Sequence, residues 1–172
     1  FPAEAAVSGA AALRGNGSMN WKRILKHLWT GRSEARKLFP EASLEQITKA
    51  IAACEVGHHG EIRFAVEASL DWPHLRHRVT ARGRAVEVFS QLRVWDTEAN
   101  NGVLLYLLIA DREVEIVADR GVHAMVGAEG WQGICKRMEA EFRNGRFESG
   151  VMEAFEAVRS YLLAHVPRTG PD

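Results

Sequence analysis

The sequence predicts an α/β domain in which a small sheet of three or four strands lies between helices. Three observations predict it. Residues 103–109, VLLYLLI, are an unbroken apolar run between the turn signals Asn100-Asn101-Gly102 and Ala110-Asp111-Arg112. A run of that kind is either a short buried helix or a strand covered on both faces; its length and flanking turn residues favour the strand. Residues 61–68 alternate, with Ile62, Phe64, Val66 and Ala68 against Glu61, Arg63, Ala65 and Glu67, as a half-buried strand does. Between the two runs, residues 80–93 place Ala85, Val88, Phe89 and Leu92 on one side of a helix. Strand, helix, strand in that order is a βαβ unit with parallel strands.

The flanking elements follow the same logic. Residues 1–18 lack the basic start and long apolar stretch of a secretory signal and read as a leader or loose arm, with Met19 as the native start. Residues 19–42 form an N-terminal helical segment. Trp21, Ile24, Leu25, Leu28 and Trp29 make one face of an amphipathic helix and Lys22, Arg23 and Lys26 the other. A basic amphipathic helix can lie on an anionic membrane, but more often such a face packs on its own domain, and that is expected here. A shorter helix, 33–39, runs to Pro40. Ser43 to Gln46 reads as a capping box that opens a helix with Leu44, Ile47, Ala50, Ile51 and Cys54 on its stripe, ending near Gly57. Asp71-Trp72-Pro73 stops the first strand. Residues 113–118 return antiparallel through a tight turn. After Gly121 the chain is helical, with one stripe through Trp131, Ile134, Cys135, Met138 and Phe142, a C′ glycine at Gly145, and a second stripe from Phe147 to Leu162. The main domain is therefore 43–166 and the tail 167–172.

Composition narrows the function classes. At 172 residues and zero formal net charge, one domain is expected and a general nucleic-acid binder is not. The zero hides opposite halves: residues 1–95 carry 14 Lys/Arg against 9 Asp/Glu, a net of +5, and residues 96–172 carry 8 against 13, a net of −5. Any anion-binding potential belongs to the first half. Cys54 and Cys135 fall on helix stripes and read as buried free thiols, and no apolar run is long enough to span a bilayer. A cytoplasmic protein fits these features.

Three separated strings, GEIRFAVEASL, the RVW that ends the crossover helix, and NNGVLLYLLIADREVEIVADRG, resemble the TPM domain family, whose members include thylakoid-lumen phosphatase-like proteins. The soluble bacterial subgroup is the nearest. The resemblance covers roughly residues 43–165. It implies a three-layer α/β/α sandwich, Rossmann-like, with a small mostly parallel sheet and an antiparallel edge strand. It also implies a range of roles: acid phosphatase, metal-binding protein or membrane accessory protein. The chain departs from the common form at the approach to the first family helix, where LFPEASLEQ offers Glu41 in place of the usual aspartate.

Strand direction sorts the candidate chemistry into two ends of the sheet. Residues 103–109 span roughly 20 Å at about 3.3 Å per residue. Asp96, Glu98, Asn100, Asn101 and the returning Asp119 meet at the starting end, where carboxylate and amide oxygens suit Ca²⁺ or Mg²⁺. His58 and His59 precede the first strand at the same end; with Glu61 they resemble a transition-metal site, but a surface turn is the better reading. Asp111 lies at the carboxyl end, where α/β sheets bind ligands, with Asp71, His74 and the crossover arginines Arg76, Arg78, Arg82 and Arg84. There the arginines and the helix start at Thr80 could bind phosphate, with Asp111 as metal ligand or acid/base. Asp111-Arg112 is also simply a good hairpin turn, and the basic crossover a solvated loop. No nucleophile motif of a known phosphatase is present, and no organic cofactor is implied. Trp95 and Trp131 read as core or rim packing. Three functions result. The first is a binding or accessory domain for a protein or membrane-associated partner, with a divalent cation. The second is a metal-assisted phosphomonoesterase. The third is a structural subunit or self-associating domain.

Overall fold

The computed structural model describes residues 20–97 and 100–167. The leader 1–18, Met19, Glu98 and the tail beyond Pro167 lie outside the described residues. Helices α1 (Trp21–Trp29), α2 (Arg32–Leu38) and α3 (Glu41–Cys54) precede strand β1 (Glu61–Glu67). Helices α4 (Trp72–Arg76) and α5 (Ala81–Gln91) lead to β2 (Gly102–Leu108), and β3 (Glu113–Ala118) returns from it. Helices α6 (Arg120–Arg143) and α7 (Phe147–His165) complete the chain.

The sheet has the order β1-β2-β3, with β1 parallel and β3 antiparallel to β2, so it is mixed. Every residue of β2 is buried, which is why its sequence shows no alternation. Val103, Leu105 and Leu107 join Ile62, Ile116 and the inner stripes of α3, α6 and α7 in one core. Leu104, Tyr106 and Leu108 join Leu75, Ala81, Ala85, Val88 and Phe89 of α4 and α5 in a second. Gly102 is needed where β2 starts: a Cβ there would lie 1.9 Å from the Val94 carbonyl oxygen.

Local expectations are corrected at Ser43, Leu44 and Leu92, and Asp71-Trp72-Pro73 does more than stop the strand. Helix α3 begins at Glu41 with Pro40 as its N-cap, so Ser43 is inside the helix and its hydroxyl donates to Glu148. Pro40 has no N–H and a fixed φ, which suits it to the turn before a helix start. Leu44 is 43% exposed, and the inward stripe of α3 is carried by Ile47 and Cys54. The strand-stopping Asp71-Trp72-Pro73 opens a helix: Asp71 caps α4 by accepting from the His74 N–H, and Pro73 sits in the first turn, where a missing N–H costs nothing. Leu92, placed on the inner side of α5, is exposed. The largest correction concerns α1 and is developed below. Helix α6 also contains a non-helical Gly127, at φ 75°, that kinks it ahead of the Trp131 stripe. Cys54 and Cys135 are both unpaired thiols, and burial pushes Cys135 up to about 12.

Candidate functional site

Helix α1 sits on the domain by its polar side. Ile24 and His27 are buried, while Trp21, Leu25, Leu28 and Trp29 are exposed, Trp29 to 87%. Of the stripe expected to pack inward, Ile24 does so and the other four residues face outward. What holds α1 is an ion pair with the β2–β3 turn. Arg23 donates from Nε and Nη2 to Asp111 Oδ2, at 3.0 and 2.8 Å, and from Nη2 to the Val79 carbonyl at 2.8 Å. His27 lies one helical turn on, its Nδ1 accepting the Leu70 N–H at 2.9 Å. That bond leaves the proton on Nε2, which stands 3.1 Å from Asp111 Oδ1 without pointing squarely at it. Burial lowers the His27 pKa against the pull of Asp111. Burial likewise pushes the Asp111 carboxyl up, but Arg23 and His27 outweigh it and hold it below the usual range.

Asp111 is thus engaged by α1. Of the other residues assigned to that end, Asp71, His74 and Arg84 form a separate network on the α4–α5 face. Arg84 donates from Nε and Nη2 to Glu67 and from Nη1 to Glu87, at 2.7–3.2 Å. The Tyr106 hydroxyl donates to Glu67 at 2.5 Å. His74 bridges Glu87, 2.9 Å away, and Asp71, which raises its pKa with Asp71 as the main cause. Burial of Glu67 favours its neutral form, yet the bonds from Arg84 and Tyr106 outweigh burial and lower its pKa. Arg82 turns the other way, donating to the Ile116 carbonyl and standing 3.6 Å from Glu115 on β3. Arg84 and Arg82 therefore diverge toward opposite edges of the sheet. Arg76 and Arg78 are exposed, Arg78 at a positive φ of 55°.

At the amino end of β2, Asp119 caps α6: its Oδ1 accepts the Arg120 N–H at 2.7 Å, and its own N–H donates to Gly102 at 2.8 Å. Asn101, next to Gly102, donates from Nδ2 to the His59 carbonyl at 2.7 Å. Both side chains are at least nine-tenths buried, and Asn101 Oδ1 and Asp119 Oδ2 have no hydrogen-bond partner. Buried oxygens are rarely left so, and two at one end of a sheet are the kind of donors a hard cation uses. Asp96 is exposed nearby in sequence, its N–H bonded to Arg93. His58 is buried, with Nδ1 accepting the Gly60 N–H, while His59 is exposed. No group of three His, Cys, Asp or Glu side chains among the described residues could hold a metal. Trp131 is core, edge-on to Tyr161, and Trp95 is half-exposed.

Arg23, His27, Glu67, Glu87 and Tyr106 were not nominated from sequence. The i, i+4 pair Arg23 and His27 on the side of α1 opposite the tryptophans was the one local signal for the clamp. A tyrosine inside the apolar run and a glutamate closing β1 were the signals for the network.

A mixed α/β fold with a buried central strand, acidic turns at both its ends and helices over both faces defines the class. The chain belongs to the TPM domain family, whose model matches residues 33–161. It is similar in structure to the BA42 protein from the psychrophilic bacterium Bizionia argentinensis, with a TM-score of 0.64 and 26% identity over 73% of this chain and 82% of that one. It is also similar to the N-terminal domain of a protein from P. gingivalis, with a TM-score of 0.62 and 23% identity over 77% and 83% of the two chains. A comparison with curated proteins finds no match.

Proposed function

We propose that this TPM domain is a binding module that docks α1 on an anionic membrane surface, with a divalent cation at the opposite end of the sheet. The observation that carries the proposal is the outward stripe Trp21, Leu25, Leu28 and Trp29. Residues 20–40 hold six Lys/Arg (22, 23, 26, 32, 36, 37) against one acidic residue, Glu34, for a net of +5. An exposed Trp/Leu face flanked by cations is the pattern of a helix lying in a lipid interface. The charge selects an anionic surface over a neutral partner, and each basic residue near it contributes about 1 kcal/mol. No described helix is long and apolar enough to cross a membrane.

The cation belongs to the same proposal. Ca²⁺ or Mg²⁺ would take Asp119 Oδ2 and Asn101 Oδ1, with Asp96 and water completing the shell. The stacking of α3, α6 and α7 on one sheet face and α4 and α5 on the other supports a three-layer α/β/α, Rossmann-like arrangement. Two unpaired thiols support a cytoplasmic setting. The phosphomonoesterase alternative draws no support from the geometry: Asp111 is occupied by Arg23, and Arg84 by Glu67 and Glu87.

Co-sedimentation with anionic and neutral vesicles tests the docking. The native chain should pellet with anionic vesicles and release at high salt. Replacing Trp21, Leu25 and Leu28 together by Ser should abolish pelleting while the circular dichroism spectrum stays native. Pelleting that survives the substitution would remove α1 as the docking element. Calorimetric titration with Ca²⁺ tests the cation: Asp119→Asn should lose binding that Asp111→Asn retains.

A further inference from the structure

A cavity of about 740 Å³ opens at the carboxyl end of β2. Its apolar lining comes from Leu38, Leu107, Ile109, Phe142 and Phe147, the last two rings stacked with centroids 5.0 Å apart. Three cations stand at it from three different elements: Lys26 on α1, Arg112 in the β2–β3 turn and Arg143 at the end of α6. None of the three is ion-paired with a described carboxylate, whereas Glu34, on the same rim, lies 3.7 Å from Lys37. Glu139 is the second acidic group lining it. An apolar lining beside three exposed cations accepts a hydrocarbon chain and fixes the end that carries the opposite sign. Its size falls within the roughly 300–1,000 Å³ of small-molecule sites, and its place outside the carboxyl end of a parallel strand is where α/β sheets bind ligands.

We infer that this cavity binds a single-chain anionic amphiphile of the fatty-carboxylate class. The chain lies against Phe142 and Phe147 and the carboxylate meets Lys26, Arg112 and Arg143. The site shares Trp29 with the lipid-docking stripe and is distinct from the rest of it: Trp21, Leu25 and Leu28 do not line the cavity.

The experiment is a titration of the whole chain with decanoate below its micelle concentration, by calorimetry and by tryptophan emission, with decanol as the uncharged control. Saturable binding of decanoate, at least tenfold tighter than decanol, is expected. The Arg112→Glu/Arg143→Glu variant, altered only at exposed positions, should weaken decanoate at least tenfold and leave decanol unchanged. Leu38→Trp, which fills the cavity, should remove both. The Ser variant at Trp21, Leu25 and Leu28 should bind decanoate like the native chain, whatever happens to its membrane binding. Absence of saturable decanoate binding overturns the inference. So does equal affinity for decanol, or loss of decanoate binding in that Ser variant.

Discussion

Asp111→Asn separates a clamp from a catalytic carboxylate. The substitution keeps the shape of the side chain and removes its charge. Asp111 receives two N–H bonds from Arg23 at 2.8 and 3.0 Å, with side-chain exposures of 10% for Asp111 and 23% for Arg23. Removing one partner of a fully buried pair costs about 3–5 kcal/mol, and an exposed pair is worth about 0–1 kcal/mol. This pair is nearer the buried limit, but asparagine still offers Arg23 one oxygen, so a loss of about 2–3 kcal/mol is expected. That loss falls on the docking of α1, because among the described residues the ion-pair partners of Asp111, Arg23 and His27, both lie on α1. Amide hydrogen exchange reads it directly: protection in α1 should drop roughly 30- to 150-fold, at 1.4 kcal/mol per factor of ten. The amides of β2 should be unaffected or nearly so. The exposed Asp96→Asn is the control and should change neither. If α1 keeps its protection within about twofold in Asp111→Asn, the clamp does not hold α1 and the account of this end is wrong.

The remaining predictions concern the core network, the start of β2 and the response to acid. Tyr106→Phe removes the 2.5 Å bond to ionised Glu67 and should cost about 1.5–3 kcal/mol in urea unfolding; a change under about 0.5 kcal/mol would mean the bond is not made in solution. Gly102→Ala puts a methyl into the Val94 carbonyl and should exceed the usual 1–3 kcal/mol of overpacking, giving a chain that unfolds at low urea or accumulates unfolded; a native-like midpoint would contradict the observed register. Buried His27 and His58 have lowered pKa values, so the unfolded chain binds their protons first. Their stability contribution is full above the ordinary imidazole value of about 6.5 and is lost as pH falls toward the lowered folded values. The raised pKa of His74 acts in the opposite sense, adding stability below about 6.5, but its main partner Asp71 is exposed and the effect is weakly felt. Thermal midpoints should therefore fall from pH 7 to pH 5, and His58→Gln should flatten part of that fall; a midpoint that rises toward pH 5 would show that the His74–Asp71 pair dominates.

The parts of the fold that could be read from sequence are those whose burial is written in local pattern. β2 is buried on both faces and reads as a continuous apolar run; α7 buries one side and reads as a stripe. The direction of β3 then placed Asp119 and Asn101 at one end and Asp111 at the other, and the structure keeps them so. What could not be read depends on contacts distant in sequence. Asp111 was visible as a turn carboxylate, but its partner Arg23 lies 88 residues away. Amphipathicity showed that α1 has two faces without showing which faces inward, and here a buried ion pair outweighs the usual preference for burying tryptophan and leucine. The arginines of the crossover looked convergent as a string, yet Arg82 and Arg84, two residues apart on a helix, point to different strands. Asp71-Trp72-Pro73 does follow the end of β1, but helix α4 was not read from it, because a proline that ends a strand is equally suited to the first turn of a helix.

Bromine-labelled lipid tests the outward face of α1 most directly. In a chain with Trp72 and Trp95 replaced by Phe, the remaining tryptophans are Trp21 and Trp29 on α1 and the buried Trp131. Anionic vesicles with bromine on their acyl chains should quench most of the Trp21 and Trp29 emission on binding, and should do so less as salt is raised. Emission that is unquenched at saturating lipid would show that this face does not enter a membrane, and the proposed function would be wrong.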